Sequence, residues 1–182
     1  MTHRCRVRYP HVFESFAFVN NNDRMVRAIR QNRQPIFLDS GAFSIHRRNE
    51  WVSVVEYENF ISEHRDIIEV AANIDMIEPG HEQRSYDRLK RLQQLLEYDG
   101  LAHLMKPVHH VLDRDYWVER YFAEGYDYIF LGGMVDHSLP TKLLRTWLDR
   151  VFSKFLTNPD STPKVLVHGF GLSSPDLMFR YP

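Results

Sequence analysis

The chain has 182 residues, 43% hydrophobic and 26% charged, with 23 Lys and Arg against 24 Asp and Glu. That balance excludes a disordered tail, and a formal net charge of −1 excludes a global positive field that would gather polyanions, so nucleic-acid contact must come from local patches. Cys5 is the single cysteine, which excludes an internal disulfide and a cysteine-cluster zinc site and leaves His, Asp and Glu as the metal ligands to consider.

The length falls within the usual prior of about 100 to 200 residues per domain and predicts one domain over residues 1–182. No apolar run approaches the roughly 18 residues of a membrane span, and the opening MTHRCRVRYPHVF has no signal-peptide core. A cytoplasmic protein without membrane contact is expected.

In chain order, the patterning predicts helices near 22–33, 52–66, 81–98, 113–123 and 140–156, alternating with strands of β-branched and aromatic residues. The strands are Pro35 to Asp39, Ile68 to Asp75, Leu101 to His109, Tyr126 to Leu131 and Lys164 to His168. Such alternation lays strands parallel through helical crossovers. In the third helix Leu89, Leu92 and Leu96 share an apolar face, while Arg84, Arg88 and Arg91 fall within about 60° of one another on a separate face. That basic stripe is either a solvated face or a set of nucleic-acid contacts. In the last long helix Leu143, Leu144, Trp147, Leu148, Val151, Phe152 and Phe155 form one broad apolar arc. LTNPDSTP, residues 156–163, ends it as a loop broken by Pro159 and Pro163. A (β/α)8 barrel of about 250 residues spends about 30 on each unit, so this chain holds about six units. An incomplete barrel-like α/β fold or an open α/β sheet follows.

Chemistry gathers where the predicted strands end, the edge at which parallel α/β folds place their sites. The five ends read Asp39-Ser40-Gly41-Ala42-Phe43-Ser44, Asn73-Ile74-Asp75, His109-His110, Gly132-Gly133-Met134 and His168-Gly169-Phe170-Gly171. Each has a plain structural reading. Asp-Ser-Gly is a common turn, Asp75 can cap the loop turned by Pro79-Gly80, and paired glycines permit a tight turn. His-Gly-Phe-Gly can enter a helix capped by Ser173 or Ser174 with Pro175 in its first turn. A His-His pair on a strand sends its side chains to opposite faces, so at most one enters a site.

Taken together, LDSGAFS, NID, YIFLGGM and VLVHGFGLSSPDL resemble, in order and approximate spacing, the tRNA-guanine transglycosylase superfamily. Its phage-encoded, DNA-modifying branch is the most similar part. The resemblance covers residues 35–182. It implies a (β/α)8 barrel that exchanges guanine in a nucleic-acid strand for a free 7-deazaguanine base through a covalent glycosyl-enzyme intermediate. It further implies that Asp39 is the catalytic, proton-handling aspartate. Base contacts are expected from Ser40, Gly41, Asn73, Asp75, His109, Gly132, Gly133, His168 and Gly169. The implied partners are tRNA or DNA, contacted by Arg84, Arg88 and Arg91, and a free 7-deazaguanine-type base, with no cofactor and no metal. These roles suit a purine: its N1–H and exocyclic amine need an acceptor such as Asp75, and its O6 needs donors that glycine backbone brings close.

The sequence also departs from the family. Ala42 and Ser44 stand where tRNA enzymes carry glycine and glutamine, and the zinc-binding insertion is missing. The family's nucleophilic aspartate would fall after SSPDL, beyond Pro182, so the chain is expected to bind base without forming a covalent complex. Uncovered barrel edges would then pair with another copy or a complementary fragment. Two other readings stay open. One is a non-catalytic base- or nucleic-acid-binding remnant. The other is a metal-dependent barrel hydrolase using His109 or His110 with His168, Asp39 and Asp75.

Overall fold

The computed structural model describes residues 11–46, 51–76, 78–134, 140–172 and 174–181, so the expectations placed on Cys5, Ser173 and Pro182 lie outside the described residues. The chain folds as two compact units, Met1–Ile74 with Arg91–Met105, and Asp75–Lys90 with Lys106–Pro182.

The first unit is organised on strands β1 (Val12–Ser15), β2 (Ile36–Asp39) and β3 (Ile68–Ala72), with β4 (Met105–Lys106) completing a sheet in the order β1-β2-β3-β4. The β1–β2 and β2–β3 pairs are parallel, with Ser15 opposite Asp39 and Leu38 opposite Ala71. Helices α1 (Phe16–Val19), α2 (Asp23–Asn32), α3 (Ala42–His46) and α4 (Val54–Glu63) fill the crossovers. Local chemistry sets their ends. The Asn22 side chain accepts from the Met25 N–H at 3.1 Å and starts α2, and Ser53 does the same for the Glu56 N–H in α4. At the other end of α2, Arg33 adopts a left-handed conformation with φ 52°. Against the sheet, Phe16 meets the rings of Tyr57 and Phe60 edge-on at 5.1 and 5.5 Å. The otherwise buried Tyr57 hydroxyl donates to the Ala72 carbonyl at 2.8 Å, which removes the penalty of burying it.

The second unit carries β5 (Val108–His110), β6 (Tyr128–Gly132) and β7 (Leu166–Gly169), all parallel and paired in sequence order. β6 is buried along its whole length, as a central parallel strand covered on both faces must be. Its crossovers are α6 (Asp115–Ala123) and α7 (Thr141–Val151), the latter continuing as a π-helical turn over Phe152–Leu156. α8 (Pro175–Met178) follows β7 with Pro175 in its first turn and Ser174 at the N-cap position, although the Ser174 side chain makes no capping bond. α5 (Glu82–Glu97) spans the boundary between the two stretches of chain and buries Leu89, Leu92 and Leu96, the face its periodicity predicts. In α7, Trp147, Leu148 and Val151 are buried, but Leu143 is 55% exposed, so the apolar arc enters the core only from its second turn.

The α/β class with parallel sheets follows the sequence. The pairing yields two sheets and no closed barrel among the described residues. The expected single strand over 101–109 is divided: Ala102–Leu104 is a 3-10 turn, and Pro107 separates β4 from β5. Proline has no N–H to give a ladder. The Pro107 carbonyl still accepts from the Phe130 N–H at 2.9 Å, which sets the entry into the second sheet. The sequence reading also passed over β1, whose four residues VFES alternate too briefly to stand out. Among the described residues no helix is long and apolar enough to cross a membrane.

Candidate functional site

The strand ends of the two units use their polar residues differently. At the end of β2 in the first unit, Ser40 is fully buried and its hydroxyl accepts from the Ala42 N–H at 3.3 Å, opening α3. Gly41 has φ +76°, and a Cβ there would lie 2.8 Å from the Ala17 Cβ and 2.9 Å from the Ser15 Oγ. Only glycine fits both the dihedral and the space. Asp39 closes β2 opposite Ser15. Asn73 is buried just past β3. Asp39, Ser40, Gly41 and Asn73 thus belong to the first unit, whereas Asp75, His109, Gly132, Gly133, His168 and Gly169 belong to the second.

In the second unit three chain segments converge. Asp75 enters it by its Oδ2, which lies 2.7 Å from the His110 Nε2, the two side chains being 11% and 12% exposed. His110 ends β5 directly opposite Gly132 of β6. A Cβ on Gly132 would sit 2.3 Å from the His110 Cδ2 and 2.6 Å from its Nε2, so the imidazole occupies the place a side chain would take. Gly133, at φ +74°, then turns the chain away, and its place for a Cβ is 3.4 Å from the Val111 nitrogen. The His110 N–H donates to the Asp113 Oδ2 at 2.7 Å, so a tight turn fixes the backbone beneath the ring.

Electrostatics follow from these contacts. Burial opposes charging of His110, but the hydrogen bond and charge of Asp75, with Asp113 nearby, outweigh it and raise the imidazole pKa. Burial pushes the Asp113 carboxyl up to about 6 against the opposing pull of His110. Burial also lowers the pKa of Arg88 on α5, with the Asp75 charge opposing that effect and Arg84 adding to it. Nearby, Glu82 is buried with its Oε1 3.8 Å from the Arg114 Nε.

Of the histidine pair, the sequence reading selects His109 as the base contact; the structure places that residue in the core. It has no exposed surface, and its ring stacks on Trp147 at 6.0 Å. Burial, reinforced by the neighbouring His110, lowers its pKa to about 4. At 3.7 Å from Asp113 its neutral ring makes no ion pair, and both ring nitrogens are without a hydrogen bond among the described residues. Strand alternation supplies the reason: Val108 and His110 share one face of β5 and His109 takes the other. The signal that His110 rather than His109 is the histidine turned toward Asp75 lay three residues on, where Asp113 stands as the natural acceptor for a turn beginning at His110.

His168 and Gly169 end β7, half-buried. They pair with Phe130 and Leu131, the His168 ring lies 5.6 and 5.5 Å from those of Phe130 and Phe170, and burial lowers its pKa. A Cβ on Gly169 would meet the Met134 methyl at 3.0 Å. His168 thus packs among aromatic rings, and Gly169 leaves room for Met134 and Leu172. The arginine stripe divides: Arg84 and Arg88 belong to the same unit as Asp75, while Arg91 belongs to the first unit and reaches Gln94 at 3.2 Å. Among the described residues no group of three or more His, Cys, Asp and Glu side chains is placed to hold a metal ion.

No protein-family model, no curated protein and no solved structure matches the chain.

Proposed function

We propose that the chain is a base-exchange glycosyltransferase-like protein, built on an incomplete (β/α)8 arrangement, which handles a 7-deazaguanine-type base destined to replace guanine in tRNA or DNA. The observation that carries this reading is the convergence of Asp75, His110 and Gly132 at the strand ends of the second unit. A carboxylate such as Asp75 is the acceptor that a purine N1–H and exocyclic amine require. Gly133 lets the backbone turn close to a flat ring without a Cβ in the way. Arg84 and Arg88, on the helix beside Asp75, supply local positive charge for a polyanion on an otherwise neutral chain. Parallel pairing of sequence neighbours within each sheet supports the barrel-like arrangement. A cytoplasmic location suits a tRNA or DNA substrate.

The test uses the full chain with a labelled 7-deazaguanine base, first alone and then with tRNA or DNA. The base is expected to bind, and Asp75→Asn is expected to weaken binding by roughly 10-fold or more, the worth of a charge-assisted hydrogen bond. Binding with incorporation of label into nucleic acid supports exchange. Binding without incorporation reduces the function to base recognition, and no binding overturns the reading.

A further inference from the structure

His110 is held by three contacts. Its Nε2 is held by Asp75 at 2.7 Å, its ring lies against the bare backbone of Gly132, and its own N–H is anchored on Asp113. Ring position, ring plane and backbone are therefore fixed by three separate contacts. One polar atom is left over: Nδ1 has no hydrogen bond among the described residues. The side chain keeps 12% of its surface, so that atom is not sealed in the core in the way both nitrogens of His109 are.

We propose that His110 is the specificity-determining residue of this site, its Nδ1–H donating to a carbonyl oxygen of the bound base, so that a 6-oxopurine is accepted and a 6-aminopurine rejected. The inference rests on the base-binding reading above. An imidazole whose Nε2 faces a carboxylate keeps a proton on Nε2, so Nδ1 is a donor only in the charged ring. The groups around it favour that form. Asp75 faces it from the loop after β3 and Asp113 from the turn after β5, both negative when ionised, with Glu82 of α5 beyond Asp113. Arg88 of α5 offsets part of the Asp75 charge, and His109 behind the strand stays neutral at pH 7. A carbonyl placed against Nδ1–H completes the arrangement. An amino group in the same place would set donor against donor and leave both unsatisfied, which is how a polar pocket rejects a near-isostere.

Guanine and 2,6-diaminopurine are the probes; they differ at the 6-substituent and, with it, at N1, which carries a proton only in guanine, so the pH dependence and the Nδ1 resonance are what assign the discrimination to His110. The wild-type chain should bind guanine roughly 10- to 100-fold more tightly than 2,6-diaminopurine. Its guanine affinity should fall as pH rises through the raised His110 pKa, on the alkaline side of 6.5. His110→Gln retains an uncharged donor and should bind guanine without that pH dependence, and Asp113→Asn should retain it. In wild-type protein, guanine should move the Nδ1 nitrogen resonance of His110, a readout that requires no variant to fold. Guanine binding without discrimination, or without any change at His110 Nδ1, overturns this inference and leaves the base-binding reading standing. Failure of the wild type to bind guanine at any pH overturns both.

Discussion

The two units end their strands in similar-looking polar sequences and use them for opposite purposes. In the first, Ser40 and Gly41 are consumed locally: one opens a helix and the other lets two backbones touch. In the second, Asp75, His110 and Gly132 come from three separated segments and meet at one place. Local satisfaction marks structure, whereas buried titratable groups gathered from distant segments are the ones we propose for recognition, because nothing in local folding requires them to meet.

The largest effect expected from breaking this contrast is structural. Gly41→Ala adds left-handed strain and a Cβ less than 3 Å from Ala17 and Ser15, and should destabilise the first unit by about 2–5 kcal/mol in chemical unfolding. It should leave guanine binding by the remaining folded protein unchanged. A loss of binding at full stability would give the first unit's turn a recognition role.

Next in size is a pH effect within the second unit. His109, with its pKa lowered to about 4 from 6.5, makes the folded state less stable as pH falls through that window. Asp113, raised to about 6 from 3.8, acts in the opposite direction, stabilising the folded state as pH falls through the overlapping range. The two offset one another between about pH 4 and 6, while His110, whose pKa is raised, contributes stability that is lost on the alkaline side. Asp113→Asn removes one side of the balance. Unfolding free energy of that variant should then climb with pH from 4 to 6.5, by up to about 3 kcal/mol, where the wild type is nearly level. A level profile in the variant would show that His109 is not held neutral.

The smallest stability change should carry the clearest functional consequence. Gly132→Ala drives a Cβ into the His110 ring and should cost about 1–3 kcal/mol, since its backbone is not in the left-handed region and only packing is disturbed. Guanine affinity should nevertheless fall roughly 10-fold or more, because the ring must leave Asp75 to make room. Retained affinity would separate the His110–Asp75 pair from recognition.

What could be read from the sequence follows the same division. Helices α2, α4, α5, α6 and α7 and strands β2 and β3 fall within the regions expected of them, and β6 and β7 overlap theirs but run one residue further, to Gly132 and Gly169, because long amphipathic or β-branched runs encode them locally. β1 was too short to register, and the strand expected over 101–109 ignored what Pro107 does to a ladder. Within the site, Asp75, Gly132 and Gly133 were legible as strand-end residues. The choice between His109 and His110 was not, because it depends on which face of β5 meets the core, and that is set by Trp147, far along the chain. Asp113 escaped notice because its role is a backbone contact inside a turn. The division into two units left no mark in composition, since its boundary falls inside the continuous helix α5.

The central claim is that a purine-type base is recognised at the strand ends of the second unit. Amide and imidazole resonances of the full chain, followed while guanine or 7-deazaguanine is added, test it most directly. The account predicts saturable shifts at His110, Gly132 and Gly133. Saturable binding that leaves those three residues unmoved would contradict it.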